Sequence, residues 1–213
     1  MRRVSIVAIV LCLLAASTAQ AQFFGQLGPL NPKAASGLEM AGAYLGLASS
    51  TWGFTGQMRF GLDPKMDVGV QAGFSHVTGA SSGGARVDLK ADLADMGKGS
   101  SPIALGGDAD LHFASGGGAT VFGFTAVPGA SISSEVGSGQ TLAGWAGFGL
   151  QVEFPSEGDT FSTALLRLGA EFGFTPEVGV VGEFNHLFAG GGSDEFMFGL
   201  SYSLGGSSGG KRH

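Results

Sequence analysis

The strictest constraint on this chain is a period-two run from Thr51 to Phe74. Trp52, Phe54, Met58, Phe60 and Leu62 alternate with Thr, Gly, Gln and Arg, broken only by Gly56. After Asp63-Pro64-Lys65 the alternation resumes at Met66, Val68, Val70, Ala72 and Phe74. Period two places successive side chains on opposite faces of an extended chain, so these are two strands with one apolar and one polar face each. Pro64 falls in the turn, where its missing N–H removes no ladder bond. The stretch is a β-hairpin, and the rest of the chain repeats it.

Leu38 to Ser49 reads as a strand before this hairpin. After it come Ala85 to Leu93, where Val87, Leu89 and Ala91 oppose Arg86, Asp88, Lys90 and Asp92, and then Ile103 to Phe113. Thr78 to Gly84 reads as a Gly/Ser loop between strands. Val121 to Val127 is a further strand, which Pro128-Gly129 is expected to bend or end, and Ser131 to Gly139 reads as a polar connection. Leu142–Phe154, Ala164–Phe174, Val178–Phe188 and Phe196–Leu204 complete ten candidates joined by short turns. The expected fold is all-β: an antiparallel up-and-down barrel of about ten strands, with eight the alternative.

The N-terminus has the order of a secretion signal. Arg2 and Arg3 precede the apolar Val4–Ala16, and Ala19-Gln20-Ala21 is an A-x-A cleavage site. The expected division is a signal peptide over 1–21, an arm over 22–37, a barrel over 38–204 and a flexible tail over 205–213, with an uncleaved anchor the alternative at the N-terminus. The single cysteine, Cys12, lies in the apolar segment, so no disulfide is expected in the mature fold. With 40 glycines the chain is Gly-rich, yet it lacks a Gly-X-Y period and alternates too regularly for disorder. Its net charge of −6 supplies no basic patch for nucleic acid.

Alternation alone does not say which face points outward. Only 13% of residues are charged, which is low for a soluble exterior. The polar face is crowded with Gly and Ser, as a narrow interior requires. Trp52, Phe60, Phe74, Phe113, Phe154, Phe174, Phe188 and Tyr202 fall near strand ends on the apolar face, where interfacial girdles belong. These features favour a membrane barrel over a soluble secreted sandwich.

On this pattern the chain resembles the small outer-membrane β-barrel proteins of Gram-negative-type bacteria, of the porin- or opacity-like kind. The most specific piece is Gly199-Leu200-Ser201-Tyr202-Ser203-Leu204, which is similar to the family's assembly signal, Gly-x-x-aromatic-x-hydrophobic. Gly199, Tyr202 and Leu204 carry that likeness. Met197 and the tail after Leu204 depart from it. The resemblance implies residence in the outer membrane, contact with its lipid, periplasmic chaperones on the way, and insertion by the barrel-assembly machinery. A monomer is expected.

The chemistry lies on the polar face. Arg59, Arg86, Lys90 and Arg167 share it with Asp67, Asp88, Asp92, Asp108, Asp110, Glu153, Glu171 and Glu183. The Pro64 turn sets Arg59 diagonal to Asp67, and the Pro176 turn lets Arg167 approach Glu183. Buried charge requires a partner, so an ion-pair network filling a narrow lumen is the first reading. A water- or ion-conducting path with an acidic bias is the second. Catalysis is the third: Asp108, Asp110 and His112 alternate on one face, but neither a Gly-x-Ser-x-Gly elbow nor an HExxH motif occurs. His76 and His186 have the apolar phase and His112 the polar one, so no shared metal is expected, and no cofactor. The expected function is structural or surface-interacting, with a narrow passive pore or an outer-membrane hydrolase as alternatives.

Overall fold

A computed structural model describes residues 37–48, 51–77, 80–96, 103–188 and 193–204. The expected signal peptide, most of the arm and the tail lie outside these residues. The described chain forms ten strands: β1 (Gly37–Ala48), β2 (Thr51–Asp63), β3 (Met66–Val77), β4 (Ala80–Met96), β5 (Ile103–Gly116), β6 (Ala119–Gly137), β7 (Gln140–Pro155), β8 (Phe161–Gly173), β9 (Val178–Leu187) and β10 (Ser193–Ser203). Each strand pairs antiparallel with the next, and β10 pairs with β1 to close the barrel. Closure removes every free strand edge. The Pro64 and Pro176 turns lie at one end, here the proline end. Gly37 lies opposite Gly61 and Ser203 opposite Met40, so β1 starts and β10 stops at that same end.

Turn chemistry accounts for the tight reversals. Gly117 and Gly118 hold φ of 61° and 87°, the left-handed geometry that a two-residue hairpin needs. At the Pro176 turn, Thr175 Oγ1 accepts the N–H groups of Glu177 at 3.2 Å and Val178 at 3.1 Å. Two expectations are corrected. Most of the Gly/Ser segment before Ala85 is ladder: β4 starts at Ala80, and Ser75 and Ser82 join their hydroxyls at 2.6 Å. Pro128 does not end its strand. It keeps its place opposite Gly107 on β5, while the β6–β7 pairing skips from Ala126–Leu150 to Gly129–Gly147. A missing N–H disturbs only the neighbour it would have served. The polar Ser131–Gly137 then continues as β6, because it pairs with β5 through Ile132 and with β7 to its end.

Polarity is inverted relative to a soluble protein. Arg59, Asp67, Lys90 and Arg167 are at most 2% exposed, whereas Leu111, Phe148, Leu200 and Phe188 are more than half exposed. Apolar side chains therefore cover the outside, and charges fill the inside. On β2 the outward apolar face runs from Trp52 to Leu62, about ten residues. At about 3.4 Å per residue and a tilt of about 40°, that is a band of about 26 Å, the height a bilayer's hydrocarbon requires. Trp52, Phe74, Phe113, Phe154 and Phe188 stand outward toward the end opposite the prolines, and Phe174 and Tyr202 stand outward at the proline end. Trp52 packs edge-on against Phe74 with ring centroids 5.6 Å apart.

Candidate functional site: the charged lumen

The inward phase of β2 to β5 carries most of the charge. Arg59 Nε donates to Asp67 Oδ1 at 3.0 Å, and Arg59 Nη2 also bonds that oxygen. The Pro64 turn places Gly61 opposite Asp67, which sets Arg59 on the diagonal. On its other side Arg59 Nη1 lies 2.7 Å from Asp88 Oδ1, on the third strand of the same wall. Toward the far end Arg86 Nε is 3.3 Å from Asp110 Oδ1, and His112 Nδ1 is 2.8 Å from that same carboxylate oxygen.

The opposite wall is different in kind. Val127, Trp145, Leu165, Val181, Leu187 and Met197, from β6 to β10, form one apolar cluster inside the barrel. Arg167 is the buried base on that wall, and it serves both walls. Its Nε and Nη2 fork onto Glu183 at 3.1 and 2.9 Å, while Nη1 reaches Asp108 Oδ2 on β5 at 3.1 Å. Lys90 Nζ stands 3.9 Å from that same Asp108 oxygen. Trp145 Nε1 completes the group by donating to Glu183 Oε2 at 3.0 Å. Side chains from β4, β5, β7, β8 and β9 thus meet across the lumen at this level.

Acids outnumber bases inside. Asp67, Asp88, Asp108, Asp110, Glu153, Glu171, Glu183 and Glu195 are buried against Arg59, Arg86, Lys90 and Arg167. Neutral donors serve part of the surplus: Ser201 Oγ donates to Glu171 at 2.8 Å and Gln151 Nε2 to Glu153 at 2.5 Å. Such donors satisfy hydrogen bonds and bring no charge of their own.

Glycines make room for these groups. A Cβ at Gly69 would land on the Asp88 carboxylate and the Arg59 guanidinium, and one at Gly169 on the Trp145 indole. At Gly123 it would strike His112 Nε2. The inner wall is therefore cut away where the largest side chains lie.

Of the candidates named from sequence, Arg59, Asp67, Arg86, Asp88, Lys90, Asp108, Asp110, Arg167, Glu171 and Glu183 are buried in the lumen. Asp92 is not. It sits half-buried at the proline end, where the β4–β5 register shifts, and its N–H donates to Lys65 O at 2.8 Å. Gly199, Tyr202 and Leu204 lie in or just after the strand that seals the barrel, with Tyr202 and Leu204 outward. Sequence reasoning missed the apolar lumen cluster and Glu195, although they keep the inward phase, and it placed Gln57, Gln71 and Asn185 on the polar face without counting them among the site candidates. His76 and His186 stand on the outer surface, hydrogen-bonded to Ser81 and Asp194, far from the lumen phase of His112. Among the described residues no group of His, Cys, Asp and Glu is arranged to hold a metal ion.

A closed antiparallel barrel with an apolar exterior of bilayer height and a charged interior is the architecture of outer-membrane-type β-barrels. No family model and no curated protein matches the chain. Among solved structures, the N-terminal β-barrel domain of OprF from Pseudomonas aeruginosa is similar at 9% identity and a TM-score of 0.40, covering 79% of this chain and 98% of that one. The KdgM porin is similar at 9% identity and 0.41, covering 78% and 99%. The translocator domain of the autotransporter NalP from Neisseria meningitidis is similar at 13% identity and 0.34, covering 93% and 97%.

Proposed function

We propose that this protein is an integral outer-membrane β-barrel with a structural or surface-interaction role and a closed, charge-filled lumen. The observation that carries the reading is the Asp108–Arg167–Glu183 group, which spans the interior between opposite walls with fully buried side chains. A barrel built to conduct keeps its charges on the walls of a water-filled bore. Here they are consumed in the middle of it. In this reading the proline end faces the periplasm, the signal peptide is removed near Ala21, and the barrel is monomeric. The short connections at the far end, such as Gly117-Gly118, leave little loop surface for a large external ligand.

A narrow cation-preferring pore is the second reading, favoured by the acidic surplus of the lumen. Hydrolysis has less support. Asp110 orients His112 as it would a general base, but His112 Nε2 faces Glu153 at 3.9 Å and has no hydrogen-bonding hydroxyl. Two measurements test the proposal. Full-length protein in the outer-membrane fraction should migrate as a heat-modifiable band, and recovery as a soluble periplasmic protein would sink it. Reconstituted barrel should give no open events in planar bilayers, and steady wild-type conductance would hand the case to the pore.

A further inference from the structure

The apolar exterior is not evenly filled. Val68, Leu89, Ala109 and Ala126 are successive cross-strand partners on β3, β4, β5 and β6, forming one outward row. The two alanines leave this row hollow where Leu111 and Phe124 rise beside it. The hollow is an apolar groove of about 410 Å³ on the lipid-facing surface, comparable to the volume of one fatty-acyl chain.

Charge supplies the second half of the site. Lys65 is the only exposed Lys or Arg among the described residues, since Arg59, Arg86, Lys90 and Arg167 are all inside. It begins the approach to the groove: Val68 follows three residues later, about 10 Å along the strand. The Lys65 carbonyl is fixed by the Asp92 N–H at 2.8 Å and its N–H by Asp63 Oδ1 at 2.7 Å. No ion pair holds its Nζ among the described residues. An ammonium at the rim of the apolar belt, two to three strands to the side of Ala109 and Ala126, matches an anionic phosphate ester whose acyl tail runs obliquely into a groove of acyl-chain size.

We infer that the groove at Ala109 and Ala126 binds one acyl chain of a glycerophospholipid whose phosphate rests on Lys65. The inference depends on the outward face meeting lipid, as proposed above. It assigns the bound lipid to the leaflet at the proline end.

Native mass spectrometry of the full-length barrel, extracted from membranes in mild detergent, tests it. The wild type should retain one glycerophospholipid. Ala109→Leu with Ala126→Leu, which fills the groove, and Lys65→Gln, which removes the ammonium, should each lower that retention several-fold. Ala170→Leu, outward on β8, should leave it unchanged. Equal retention in all variants means general annular lipid and overturns the site. Retention of lipopolysaccharide, or of a second barrel copy, overturns it too. The heat-modifiable band of each variant reports the membrane reading separately, so loss of the site and loss of the barrel are distinguishable.

Discussion

Arg167 and Asp108 join β8 to β5 through a 3.1 Å hydrogen bond across the lumen. Strands that are not neighbours in the sheet are tied by this contact, so it bears on the shape of the barrel as well as on its bore. Removing Arg167 would take the guanidinium from both Asp108 and Glu183, leaving the more distant Lys90 beside the first and the Trp145 N–H on the second. Arg167→Met is expected to destabilise the barrel by about 3–5 kcal/mol, the usual result of breaking a buried pair from one side. Urea unfolding in lipid vesicles, followed by tryptophan fluorescence, measures it. Adding Asp108→Asn and Glu183→Gln should recover most of the loss.

The same contact is expected to keep the barrel from conducting. Arg167→Ser with Asp108→Ser removes the bridge and leaves a surplus of lumen acids. Planar bilayers should then show channel events, where a silent wild type is expected, with reversal potentials favouring cations. A silent double variant would mean that the apolar cluster around Trp145 seals the bore unaided.

Two glycines on neighbouring strands should respond oppositely to the same methyl group. Gly169→Ala places its Cβ on the Trp145 indole, with a cost of about 1–3 kcal/mol and a shift in tryptophan emission as the bond to Glu183 is disturbed. At Gly182 an added Cβ meets nothing within 4 Å. Gly182→Ala should fold and unfold like the parent.

A charge on the outer face should cost according to its depth. Leu168→Arg, in the middle of β8, is expected to destabilise by about 2–4 kcal/mol, and Leu204→Arg, at the end of the belt, by about 0–1 kcal/mol. Equal effects at the two positions would contradict a lipid-facing exterior.

Tyr202 faces outward on β10, between its partners Ala41 on β1 and Val178 on β9. Tyr202→Ser should reduce the heat-modifiable barrel in the outer-membrane fraction while leaving refolding of purified chain into detergent intact. A defect in both assays would assign Tyr202 to stability and not to assembly.

The hairpins were legible because alternation records which way each side chain points, and the Pro64 and Pro176 turns fix register for the strands beside them. Local diagonals follow from that register, which is why Arg59 could be set near Asp67, and Arg167 near Glu183, without coordinates. Contacts across the lumen were not legible. Arg167 and Asp108 are separated by closure and tilt, which no pattern along the chain encodes. Trp145 and Met197 were hidden for another reason: phase reports facing, and it cannot tell an apolar side chain inside a barrel from an interruption of the pattern. Pro128 misled because a proline reads as a strand breaker, although β5 alone holds it in the ladder.

The glycines under Trp145, under His112 and beneath the Arg59–Asp88 pair have a consequence for how this barrel can vary. Each large inward group occupies volume surrendered by a residue on an adjacent strand, so the two sites are not independent. Trp145 can shrink only if something else fills the hollow over Gly169, and Gly169 can grow only once Trp145 has shrunk. The interior therefore changes in matched steps: strand number sets the space available, and such pairs set how it is divided.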